Sequence, residues 1–160
     1  MNHPYLDPSF LVSWSRRTPE AIRPDITEAI SRAKENIRTI CDQPLESLTY
    51  ESTFGALEKA SEDLHLGWGR IMHLDSVNDE PAQREARGEM LPEVVAFSSS
   101  VPLNPRLWTV LKAAASCDWV NSLSPVRQRF IQETLADFRE SGADLPDDVK
   151  PEYAEREAQL

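Results

Sequence analysis

At the start of three helical patterns in this 160-residue chain, a residue able to cap a helix stands directly before proline: Thr18-Pro19, Asn104-Pro105 and Ser124-Pro125. A capping oxygen takes up a first-turn N–H, and proline at the first helical position lacks only an N–H that would have no partner there. Asn78-Asp79-Glu80-Pro81 opens a further helix, and Leu145-Pro146-Asp147-Asp148 is another good entrance. With twelve Pro against five Gly, the prolines punctuate helices, and no run of useful length reads as a strand. The expected fold is all-α, about six helices in a mostly antiparallel bundle with short connections and no sheet.

The periodicity fills in the elements. Residues 1–17 read as an irregular arm with Phe10 and Trp14 as apolar anchors, and residues 18–160 as a single helical domain. Helix 1 runs from Thr18 to about Cys41, with Ile26, Ala29, Ile30, Ala33, Ile37 and Ile40 on one stripe. Helix 2 is expected from near Thr49 to about Met72, with Phe54, Leu57, Leu64, Trp68 and Ile71 inward. Its glycines, Gly55, Gly67 and Gly69, suggest close backbone approach of a neighbouring helix or an irregular last turn. Helix 3 carries Met90, Leu91, Val94, Val95 and Phe97, and Pro92 should kink it. Helix 4 carries Leu107, Val110, Leu111 and Ala114. In helix 5, Phe130, Ile131, Leu135 and Phe138 face inward, and Gly142 suits the left-handed closing position. Helix 6 places Val149, Tyr153 and Leu160 on one face and meets no closing signal, so the chain is expected to be truncated within it. Such a cut would leave apolar surface that a homodimer could cover.

Charge and motifs exclude more than they assign. The net charge of −10 argues against nucleic acid and against anionic membrane surfaces. No apolar run approaches the roughly 20 residues of a membrane span. Met1-Asn2-His3-Pro4-Tyr5 has neither the basic nor the apolar region of a secretory leader, which points to the cytoplasm. Cys41 and Cys117 read as two buried thiols rather than a disulfide. His3, His65 and His73 lack the i,i+4 spacing that would set two imidazoles on one helix face, and there is no Gly-rich phosphate loop. The carboxylate pairs, among them Glu62-Asp63, fall at helix starts and on polar faces, where dipole compensation and solvation account for them. The four tryptophans, Trp14, Trp68, Trp108 and Trp119, could line a peptide groove, with core packing the simpler role. No catalytic, cofactor-binding or metal-ligating residue is assigned.

Four segments carry a resemblance. They are Thr18-Pro19-Glu20 with Ile22 and Pro24; His73-Leu74-Asp75-Ser76-Val77-Asn78 followed by Arg84-Glu85-Ala86; Leu91-Pro92; and Leu135-Ala136-Asp137-Phe138 with Ser141-Gly142 and Leu145-Pro146. In this order the chain resembles, from about residue 11 to Leu160, the N-terminal helical region of the thimet oligopeptidase-like zinc metallopeptidases, in particular the bacterial oligopeptidase A branch. It departs from the pattern at Arg87-Gly88, where the family tends to have bulkier residues. The resemblance implies one wall of a deep channel that admits short peptides to a zinc site and excludes folded proteins. The zinc and its His-Glu-x-x-His helix would belong to a C-terminal catalytic domain, the implied partner, so this chain alone should be inactive. The alternative is a free-standing helical module that binds a protein or peptide without enzymatic activity.

Overall fold

The computed structural model describes residues 3–78, 80–146 and 148–150. Among them there are six α-helices and no strand: α1 (Pro19–Cys41), α2 (Phe54–Ala60), α3 (Glu62–Val77), α4 (Pro81–Ser100), α5 (Pro105–Ala115) and α6 (Pro125–Glu140), with short 3-10 turns in the connections. Tyr153 and Leu160, and with them most of the expected last helix, lie outside the described residues. Two of the three cap-and-proline signals work as the sequence implies. The Asn104 side chain accepts from the N–H groups of Arg106 and Leu107 at 3.0 and 3.1 Å, and Ser124 accepts from Arg127. α6 closes at Gly142, whose φ of 91° is left-handed, while the Ala143 N–H reaches back to the Phe138 carbonyl.

The chain forms two compact units, one of residues up to Glu35 with Ala60–Val94, the other of Asn36–Lys59 with the chain from Val95 onward. In the first unit, Ile22, Ile26, Ala29, Ile30 and Ala33 of α1, Leu64 and Ile71 of α3 and Met90 of α4 are buried. In the second, the core is built from Ile37, Ile40, Phe54, Phe97, Leu107, Trp108, Val110, Leu111, Ala114, Ile131 and Phe138. Trp108 stacks on Phe138, and its indole N–H donates to Asp144 at 2.8 Å. The Trp119 indole donates to the Leu48 carbonyl.

Several expectations need correction. The single helix from Thr49 to Met72 is two, α2 and α3. Residues 49–53 form a turn in which Thr49 and Ser52 exchange side-chain-to-backbone hydrogen bonds, which delays the helix to Phe54. The helix then breaks at Ser61, whose backbone leaves the helical region (φ −111°, ψ 17°). The division of the chain at Lys59 and Ala60 falls beside this break, so Phe54 and Leu64 serve different cores. Of the three glycines, Gly67 is closely approached, but by a side chain and not by a helix backbone: a Cβ there would lie 2.8 Å from Cδ2 of Leu6, whereas at Gly69 it would meet nothing within 4 Å. α4 runs unbroken through Pro92, with Met90, Val94 and Phe97 inward but Leu91 and Val95 exposed. Leu135 and Phe130 are half-buried rather than inward, and both cysteines are free and half-buried rather than buried.

The arm differs most. Phe10 and Leu11 are 97% and 81% exposed, and its anchors are instead Tyr5 and Leu6 in the 3-10 turn Pro4–Leu6. The turn directs two consecutive side chains inward, and the Asp7 carboxylate then caps the Ser9 N–H and leads the chain out.

Leu107→Ala should cost about 2–5 kcal/mol, since its side chain is fully enclosed. Val126→Ala, at an exposed position on α6, should stay within about 0.5 kcal/mol. Denaturant midpoints check the contrast; equal midpoints would contradict these core assignments.

Candidate functional site

The most developed polar arrangement lies in the first unit, where α1 and α3 hold the segment His3–Asp7. Asp25 stands between Ile22 and Ile26 on the inner face of α1 and is 1% exposed. A buried carboxylate is costly unless hydrogen bonds replace its water. Here one oxygen accepts from the Tyr5 N–H at 2.6 Å and the other meets Nδ1 of His3 at 3.0 Å. From α3, Arg70, also buried, donates to the carbonyls of Tyr5 at 2.8 Å and Asp7 at 2.6 Å. The backbone of Tyr5 is therefore gripped on its N–H by a carboxylate and on its C=O by a guanidinium.

The Tyr5 side chain is fully buried, and its hydroxyl donates to the Thr18 carbonyl at 3.4 Å. Burial raises the pKa of this phenol above its ordinary value of 10.0; the neighbouring Gln83 side chain opposes the shift and the Asp25 charge adds to it. Beyond the arm, Arg17 donates to the Ser13 carbonyl at 2.7 Å and lies over the Trp14 ring. Burial and then the neighbouring Arg70 charge lower the pKa of Arg17. A cavity of about 460 Å³ borders His3 and Pro4, lined also by Arg16, Thr18, Glu20, Ala21, Pro24 and Asp25. The Thr18 hydroxyl hydrogen-bonds the Glu20 carboxylate and lowers its pKa.

The histidines singled out in the sequence are not brought together. His3 pairs with Asp25, His65 is exposed on α3, and the His73 ring lies 5.2 Å from that of Trp14. Zinc, which the resemblance implies for the longer enzymes, finds no donor set here: among the described residues no three His, Cys, Asp or Glu side chains are grouped to hold a metal ion. Of the tryptophans, Trp108 is core, and Trp14 is partly open. Burial raises the pKa of the Cys41 thiol, and the Cys117 thiol donates to the Ala113 carbonyl, so neither is presented as a nucleophile. Asp25, Arg70 and Tyr5 were not singled out in the sequence. For Asp25 a signal existed: positions 22, 25, 26 and 29 follow the helical inward pattern, with a charged residue among apolar ones.

The described residues form an all-α fold, and comparison with known proteins gives the family. Residues 26–150 match the family described as Neurolysin/Thimet oligopeptidase, N-terminal domain. The chain is similar to Oligopeptidase A of Escherichia coli, 27% identical over 155 residues, 97% of this chain and 23% of that protein. It is 28% identical over 160 residues to Oligopeptidase A of Haemophilus influenzae, 100% of this chain and again 23% of the relative. A protein of Arabidopsis thaliana named Probable cytosolic oligopeptidase A is 37% identical over 105 residues, 65% of this chain and 15% of that protein. The chain belongs to the neurolysin/thimet oligopeptidase N-terminal domain family, and its likeness to the oligopeptidase A proteins extends over nearly its whole length. It spans less than a quarter of the length of these relatives. No helix among the described residues is long and apolar enough to cross a membrane.

Two outcomes follow from this geometry. Asp25→Ala strands the buried Tyr5 N–H and should cost about 1–3 kcal/mol in denaturant unfolding, more than the same change at Glu28 on the α1 surface. The second concerns alkaline pH. Because its pKa is raised, the folded chain holds the Tyr5 phenolic proton more tightly than the unfolded chain does. The associated stability is intact below pH 10.0 and falls as pH rises past that value. Tyr5→Phe should flatten the decline, read as unfolding midpoints at rising pH; an unchanged slope would contradict the assignment.

Proposed function

We propose that this chain is the channel-wall domain of a cytoplasmic zinc metalloendopeptidase that cleaves short peptides, working beside a C-terminal catalytic domain. In this reading residues 18–160 act as one helical domain behind the arm. Its part in specificity is steric: rigid helices narrow the approach to the zinc, so short unstructured peptides pass and folded proteins do not. The observation that carries the reading is the family match across residues 26–150, in a chain that aligns over 97% of its length with 23% of E. coli Oligopeptidase A. The lack of a metal-holding group among the described residues fits a division of labour in which the zinc and its bound water lie in the partner domain. Val126 and Val149, exposed in the second unit, are candidate contacts with that polypeptide or, without it, with a second copy of this chain. The alternative reading is a free-standing module that binds a peptide or protein, and the clamped arm, a peptide segment held by buried charges, is the feature that favours it.

The test is an exchange of segments. E. coli Oligopeptidase A with its matched quarter replaced by this chain should cleave short peptides and spare folded proteins. The isolated 160-residue chain should hold no stoichiometric zinc and cleave neither. Chelator-sensitive hydrolysis by the isolated chain would refute the division of labour, and a folded exchange protein without activity would favour the binding module.

A further inference from the structure

We propose that the groove formed by α1 and α3 in the first unit is a peptide-binding site in its own right. Its present occupant is the chain's own segment His3–Asp7, and it accepts a separate peptide of the same kind, His-Pro followed by an aromatic residue and leucine.

Four observations carry this. First, the helices read the segment largely through its main chain. Asp25 accepts the Tyr5 N–H, and Arg70 donates to the carbonyls of Tyr5 and Asp7. These groups are common to any peptide, and buried charged partners make them strong and directional. Second, two apolar side chains give the site its selectivity. Tyr5 is fully enclosed, and Leu6 lies against Gly67, where a Cβ would come within 2.8 Å of the Leu6 side chain. A larger residue at 67 would fill the space that leucine takes. Third, His3 adds a side-chain contact to Asp25, and a cavity of about 460 Å³ adjoins His3 and Pro4.

Fourth, the occupant is tied to the rest of the chain by a connection with little hold of its own. Just past Asp7, the side chains of Pro8 and Ser9 are exposed, and Phe10 and Leu11 are the most exposed large apolar residues described. Beside Tyr5 and Leu6, the helices bury apolar residues of their own, from Ile22, Ile26, Ala29 and Ile30 to Leu64, Ile71 and Met90, with Ile26 next to the arm at Gly67. The site differs from the channel reading in kind: it would hold a peptide without cleaving it, and it stands whether or not a catalytic domain adjoins.

The experiment cuts the connection in the folded chain. A recognition sequence for a specific protease is inserted between Phe10 and Leu11, and the native protein is nicked. The two pieces should co-elute in gel filtration. A fluorescent synthetic peptide of residues 1–10 should then displace the native piece saturably, read by anisotropy. The peptide carrying Tyr5→Ala and Leu6→Ala should compete about tenfold more weakly or worse, as loss of the buried side chains implies. Arg70→Met in the nicked protein should weaken capture of the parent peptide while circular dichroism stays helical. Absence of exchange, equal binding of the doubly substituted peptide, or loss of helicity on nicking would each overturn the proposal, the last by showing that the arm is an inseparable part of the core.

Discussion

The first unit depends on the backbone of one residue, the N–H and C=O of Tyr5, being held by two buried charges. Asp25 and Arg70 come from different helices and do not pair with each other; each is satisfied by the backbone around Tyr5. Removing a carboxylate or guanidinium from water is expensive, and hydrogen bonds to the ionised group recover that cost only when all partners are in place. The dependence therefore runs both ways. Without the helices, the arm is a short segment with too few contacts to stay ordered; without the arm, α1 and α3 each carry an unsatisfied charge inside an apolar face. The ion pairs on the surface, such as Arg23–Glu89 and Arg32–Asp63, are exposed and add little by comparison.

Much of the fold was legible because local signals and burial agree. The stripe from Ile26 to Ile40, the caps at Asn104 and Ser124, and the left-handed Gly142 each combine a local preference with a matching tertiary role. The split between α2 and α3 was not legible. Phe54, Leu57, Leu64, Trp68 and Ile71 keep a helical spacing across it, and spacing cannot say that the two halves serve different cores. The arm was misread for a related reason. Phe10 and Trp14 are large and apolar, yet exposure is decided by which residues the helices can satisfy, and here the polar grip selects Tyr5. A charged residue inside a helical stripe, as at Asp25, is the sequence sign that a distant backbone or side chain must arrive there.

In functional terms, the family match and the structure divide the account cleanly. The neurolysin/thimet oligopeptidase N-terminal domain family accounts for the helical shape of the chain, and among the described residues no three His, Cys, Asp or Glu side chains are grouped to hold a metal ion. In the first unit that shape includes a groove with an occupant of its own, and the geometry of the groove follows from residues that composition and spacing alone do not single out: a buried aspartate, a buried arginine and a glycine.

The most direct test of the clamp is amide hydrogen exchange at Tyr5, followed by NMR under conditions where opening precedes exchange. If Asp25 holds the Tyr5 N–H inside the unit, this amide should be protected to the same degree as core amides of α1 such as Ile30. Exchange at the rate of an unstructured peptide, with α1 still protected, would mean that the arm is not held and that the buried charges of α1 and α3 are satisfied in some other way.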